Sequence, residues 1–222
     1  MSDTYEKTMK RLILERKRLV LSVQQLSDLV NVDQSNWCKI EQEKGRISYK
    51  CMKRLCSIDI DMYYVLTGNK KIYCSYPELG KCEMSDLVCL LRIIYSVSEL
   101  RCRDMQCNPW KDIYDNTKYI LLVDTETDVK SLFVSLRKIR GYSQKKFAEI
   151  LGMDIKKLQN IEKGVRFPDN ELIYRLYGIF KVSPGIILED KKCMLNEVRF
   201  LLEKMKEVDS EIVIHILDLI KR

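Results

Sequence analysis

Nine cysteines and one histidine are the residues of this chain best suited to bond-making chemistry, and their spacing argues against it. The cysteines stand at 38, 51, 56, 74, 82, 89, 102, 107 and 193, with no Cys-x-x-Cys among them. The nearest approach to a ligand pair is Cys102 and Cys107, and His215 is remote from any such pair. Zinc sites draw on close pairs of ligands, so neither a metal nor a cofactor is expected. There is also no glycine-rich phosphate loop and no Ser/His/Asp or Cys/His set. No catalytic residue is therefore assigned, and the chain is not expected to be an enzyme. What remains is recognition chemistry in two short clusters: Gln34, Ser35, Asn36 and Lys39, and Lys156, Lys157 and Asn160 beside the apolar Ile155. Amides offer a donor and an acceptor side by side, and an ammonium offers donors only. Such groups suit recognition.

The elements that must position these clusters repeat. Residues 11–50 align without a gap with 132–171, at an offset of 121. Leu12 matches Phe133, Arg16 matches Arg137, Ser22 matches Ser143, Leu26 matches Phe147, and Ile40-Glu41 matches Ile161-Glu162. In the second copy Val129 to Arg140 carries one apolar stripe at helical spacing. Ser143 is an N-cap for a helix over 144–151, Gly152 supplies a left-handed turn, and Asp154 caps a helix over 155–162. Asp169 caps a fourth helix, and Ser183-Pro184 opens a short fifth one. In the first copy Asn31 stands at the turn glycine's position and Val20 at that of Gly141.

Two helices joined by a short turn inside a five-helix unit of about sixty residues form the helix-turn-helix pattern. The stretch YSQKKFAEILGMDIKKLQNIEKGVRFPDNELIYRLYGIFKVSPGIIL resembles the Cro/cI-like (XRE-type) family of transcriptional regulators. It has the Ser-Gln helix start, the Phe-Ala pair, the turn glycine and the Ile-Glu-x-Gly ending. LSVQQLSDLVNVDQSNWCKIEQEKGRIS resembles the family less closely. The resemblance implies an all-α chain with two five-helix lambda-repressor-like domains, at 6–68 and 129–190. A linker and helical middle region at 69–128 would join them, and a helical pair at 191–222 would follow. It also implies a structural ion pair in each copy, Arg16 with Glu41 and Arg137 with Glu162, holding the recognition helix.

In that family the recognition helix enters the DNA major groove with its N-terminal residues at base edges. The expected base contacts are therefore Ile155, Lys156, Lys157 and Asn160 in one copy, and Gln34, Ser35, Asn36 and Lys39 in the other. Lysine can donate to guanine, asparagine and glutamine can pair with adenine, and Ile155 can touch a thymine methyl. Phosphate contacts are expected from Gln144 and Arg166, and from Gln24, Gln25, Lys44 and Arg46. Charge distribution agrees with this. Residues 8–68 carry 11 Lys/Arg against 7 Asp/Glu and residues 130–190 carry 12 against 7, whereas 69–129 carry 8 against 10.

The middle and the tail are less informative. Leu87, Leu90, Leu91, Ile94 and Val97 line one face of a helix within 84–104, and Asn108-Pro109 breaks it. Residues 110–123 begin as a helix, with a short strand possible over 119–123. Two tail helices, within 193–208 and 209–220, present more apolar surface than a five-helix domain can cover. Homodimerisation through these or the middle helices is one expectation, and docking within the chain is the other. The polar start, Met1 to Lys10, the odd cysteine count and the short apolar runs fit a cytoplasmic chain with no membrane partner.

Three functions fit these residues. The first is a repressor, of a phage or another mobile element, bound to a double-stranded operator. The second is an interaction protein, anti-CRISPR or antitoxin-like, that fuses a helix-turn-helix to a partner-binding helical region. The third is a regulator gated by an effector held among the middle helices.

Overall fold

The computed structural model describes residues 2–69, 76–103, 109–118 and 129–208, together with Ile212, His215, Ile216 and Leu219. The described residues are helical, with no strand among them. The strand considered for 119–123 and most of the tail helix expected within 209–220 lie outside them.

The first copy comprises α1 (Ser2–Arg18), α2 (Val23–Leu29), α3 (Gln34–Glu41), α4 (Tyr49–Ser57) and α5 (Met62–Thr67). After a short 3-10 helix (Pro77–Lys81) come α6 (Met84–Arg103) and α7 (Pro109–Thr117). The second copy is α8 (Val129–Ile139), α9 (Gln144–Ile150), α10 (Ile155–Glu162), α11 (Asn170–Phe180) and α12 (Pro184–Leu188), followed by α13 (Lys191–Val208).

Capping residues set where these helices begin. Ser22 and Gln25 form a reciprocal capping box at α2, and the Ser143 hydroxyl accepts from the Lys146 N–H at α9. Asp33 accepts from the N–H groups of Ser35 and Asn36 at α3, and Asp154 accepts from that of Lys156 at α10. Each such cap is worth about 1 kcal/mol, because it satisfies N–H groups that the first helical turn leaves without partners.

The backbone repeats more faithfully than the side chains do. Four positions with positive φ recur at the offset of 121: Val20 (57°) and Gly141 (64°), Asn31 (52°) and Gly152 (58°), Glu43 (66°) and Gly164 (73°), Gly68 (83°) and Glu189 (49°). Each pair has glycine on one side only. The costliest exchange is Val20, since a β-branched side chain disfavours the left-handed region. Its side chain is 87% exposed, so no packing compensates.

Outside the two copies, α6 and α7 pack on each other and both pack on α13. The apolar face of α13, with Met194, Val198, Leu201, Leu202 and Met205, is buried against them and against α5 and α12. The surplus apolar surface of this helix is thus covered within the chain, the second of the two expectations, by Leu87, Leu91, Ile94, Trp110 and Ile113 among others. A single apolar core runs through both copies and this third group of helices.

Candidate nucleic-acid interface

The helix carrying the second polar cluster is anchored from three directions. On α8, Arg137 makes a two-pronged ion pair with Glu162 at the end of α10, Nε–Oε1 2.6 Å and Nη2–Oε2 3.2 Å. Its Nη1 also donates to the Tyr142 carbonyl. From α9, Gln144 Nε2 donates to Glu162 Oε2 at 2.7 Å, and Gln144 Oε1 accepts from Gln159 Nε2 at 3.2 Å. From α11, Arg175 Nη1 donates to the carbonyls of Leu151 and Gly152, the turn between α9 and α10. Leu158 and Ile161 fill the core beneath. With Arg137 and Glu162 only 17% and 6% exposed, loss of either partner would strand a charge.

What α10 shows to solvent is Ile155 and Lys156, with Gln159 and Asn160 half-buried beside them and Lys163 exposed past the end. The Asn160 carbonyl accepts from the N–H groups of Val165 and Arg166, which folds the following turn back and leaves Arg166 exposed. Lys157, expected at a base edge, is placed elsewhere: its ammonium bonds Asp169 at 2.7 Å. Burial works to raise the Asp169 pKa. The hydrogen bond from Lys157, that from the Leu172 N–H and the charge of Arg46 outweigh it, and the carboxyl is held below its ordinary value.

The first copy has the same anchors. Arg16 pairs with Glu41 at 2.8 Å (Nε–Oε1) and 3.0 Å (Nη2–Oε2), and its Nη1 donates to the Leu21 carbonyl. Arg54, 121 residues before Arg175, donates to the Val30 carbonyl at 2.6 Å. Where the second copy uses Gln144 on the glutamate, the first uses the Trp37 indole N–H, 2.8 Å from Glu41 Oε1. On α3 the side chains of Gln34, Ser35, Asn36 and Lys39 are exposed. Ser35 also donates to Asp33, and that hydrogen bond, with those of the Ser35 and Asn36 N–H groups, lowers the Asp33 pKa.

Four expected phosphate ligands have partners within the protein, among them Gln144, on Glu162 and Gln159. The Gln25 side chain accepts from the Ser22 N–H, Gln24 donates to Asp28, and Arg46 pairs across to Glu171 (2.5 Å) and Asp169 (3.6 Å). Lys44 is exposed beside the end of α3. Three features were absent from the reading of the sequence. Gln159 lies one turn beyond Ile155 on the exposed side, a spacing any helical projection brings out. Lys145 is exposed at the start of α9, next to Gln144. The Arg54 and Arg175 anchors stand 121 apart, as the rest of the repeat does.

Among the described residues no group of histidine, cysteine and acidic side chains could hold a metal, and no helix is long and apolar enough to cross a membrane. Cys51, Cys56, Cys82 and Cys193 are buried, and burial pushes their thiol pKa values up.

A family model described as a helix-turn-helix domain matches residues 132–192. The match supports a helix-turn-helix DNA-binding domain over that part of the chain. No curated protein and no solved structure matches the chain.

Proposed function

We propose that this protein is a sequence-specific regulator of transcription that reads double-stranded DNA with α10 and, in the first copy, with α3. It would act as a repressor by occupying a promoter. Ile155, Lys156 and Asn160, with Gln159 beside them, would meet base edges. Gln34, Ser35, Asn36 and Lys39 would do so on the other helix. Lys145, Arg166 and Lys44 would hold phosphates, while Gln144, Lys157 and Arg46 serve the protein's own packing.

One observation carries this reading. The α10 cluster is exposed on a helix whose far side is locked by Arg137, Gln144 and Arg175, so its side chains are presented on a rigid rod. Ordering costs are then small, because the frame is already fixed before the duplex arrives.

Fluorescence anisotropy on duplexes recovered by selection from a random pool tests it. Lys156→Ala and Asn160→Ala should each weaken binding by about 1–3 kcal/mol and relax base preference at one position. Arg166→Ala should weaken all duplexes alike and flatten the dependence of affinity on salt. If both α10 variants bind as the unaltered protein does, that helix is not the reader.

A further inference from the structure

The two copies meet along a seam in which each uses the same parts. The segment 46–49, just past α3, faces 167–171, just past α10. The Ile47 N–H donates to Asn170 Oδ1 at 2.9 Å, and the Asn170 N–H donates to the Ile47 carbonyl at 3.1 Å. The Tyr49 ring stacks on Phe167 at 4.7 Å between centroids, and Arg46 pairs with Asp169 and Glu171. At the offset of 121, Tyr49 corresponds to Asn170 and Arg46 to Phe167. The contacts are therefore reciprocal. Position 49 of one copy, Tyr49, stacks on position 46 of the other, Phe167, and Arg46 in turn reaches the residues on either side of Asn170.

A second set of contacts repeats this. Asn69 Nδ2 donates to the Tyr177 hydroxyl at 3.0 Å. The corresponding residues are Asp190 and Cys56, and the Asp190 carboxyl lies close enough to the Cys56 thiol to help hold its pKa up. Whole helices follow suit. α5 packs on α11 and α12 packs on α4, which are counterpart pairs, and α5 packs on its own counterpart α12. Contacts of i with j matched by contacts of j with i define an isologous interface, the kind a two-fold axis produces.

From this reciprocity we infer that one chain is a built-in pseudo-dimer that lays α3 and α10 on one duplex as two dissimilar, inverted half-sites. The inference rests on the DNA-binding reading above and deepens it. A two-fold axis carries one reading helix onto the other at equal height along the axis. Binding one duplex requires both exposed faces to look along that axis, toward DNA lying across it. Duplex DNA has its own dyads perpendicular to its length, so related protein surfaces meet opposite strands. The arms of the site are therefore inverted, as they are for two-fold dimers.

The arms differ because the side chains at matching positions differ. Ile155, Lys156, Gln159 and Asn160 stand against Gln34, Ser35, Cys38 and Lys39. The first set joins an ammonium to two amides, while the second has one amide, a hydroxyl and a thiol before its lysine. A palindrome, the natural target of two identical subunits, would satisfy only one of these faces.

Selection from a random 30-base-pair duplex library, with the full chain as bait, tests the inference. The expected result is one bipartite motif, with unlike inverted arms centred about 10 base pairs apart, bound by a single chain per duplex in sedimentation. Lys156→Ala with Asn160→Ala should erase one arm of the motif and leave the other. Gln34→Ala with Asn36→Ala should do the opposite. All four residues lie on helix surfaces away from the seam. One extra base pair between the arms should weaken binding by the unaltered protein roughly 10-fold or more, because the seam fixes the spacing. A motif of one arm, two arms in direct repeat, or two chains per duplex would overturn the pseudo-dimer and leave the DNA-binding reading standing. A library that yields no enriched motif would overturn both.

Discussion

The two copies hold the same frame with different means. In the second, the turn positions are glycines at 141, 152 and 164, and a glutamine braces the buried glutamate. In the first, the same three left-handed positions are Val20, Asn31 and Glu43, and a tryptophan indole takes over the brace. Only the second lies under the family match. The features kept in both are those whose loss would strand a charge or open a turn: the arginine–glutamate pair, the arginine on the turn carbonyls, and the aspartate cap. Side chains whose work is local packing have drifted. Sequence signatures therefore fade faster than the geometry they encode.

The strongest way to break this comparison is to remove the shared anchor. Arg137→Ala and Arg16→Ala should each destabilise the chain by about 3 kcal/mol, since each leaves a mostly buried glutamate without its partner. Urea unfolding reads both. A large cost at one site and none at the other would mean that the copies are not held alike.

The next effect belongs to the second half alone. Glu197 on α13 is buried and hydrogen-bonded to Ser183, the cap of α12. Burial raises its pKa to about 8, with the Ser183 hydrogen bond opposing. The unfolded chain releases this proton near 4.5 and the folded chain keeps it to about 8. Its contribution is therefore fully present below about 4.5 and is lost as pH rises through 8, on the order of 2 kcal/mol or more. Glu197→Gln, which keeps a neutral side chain there, should flatten the fall in unfolding midpoint between pH 5 and 9. An unchanged slope would remove Glu197 from the account.

At the seam, Asn170→Ala leaves the Ile47 N–H without its acceptor and should cost about 1–2 kcal/mol. The smallest and sharpest test exchanges one turn residue between copies. Val20→Gly should stabilise by about 1 kcal/mol and Gly141→Val should destabilise by about as much. A side chain at Gly141 meets nothing within 4 Å, so the backbone conformation alone decides the sign. Opposite signs in calorimetry would tie the two sites to one backbone. Equal signs would separate them.

Much of the fold was legible because it is written locally. Apolar residues at helical spacing, Ser143 and Asp154 ahead of their helices, and Gly152 between them specify the helix boundaries to within a residue or so. The candidate site was legible only in outline. Ile155, Lys156, Gln34 and Asn36 are exposed where a helical projection puts them. Lys157 and Arg46 have the same chemistry as a DNA ligand, but Asp169 claims Lys157 within the second copy, and Asp169 and Glu171 claim Arg46 across the seam. The Arg46 pairing joins parts of the chain more than a hundred residues apart and leaves no periodic trace. The same holds for α13, whose apolar stripe announced a cover without naming α6 and α7 as that cover.

The seam has a bearing on dose. Its two sides belong to one covalent strand, so dilution cannot part them. A regulator assembled from separate subunits loses its second arm as it becomes scarce, and its response to supply is steep. On the reading proposed here, each molecule of this protein is a finished unit. Occupancy of its site would then follow abundance in simple proportion, down to the last few copies in a cell.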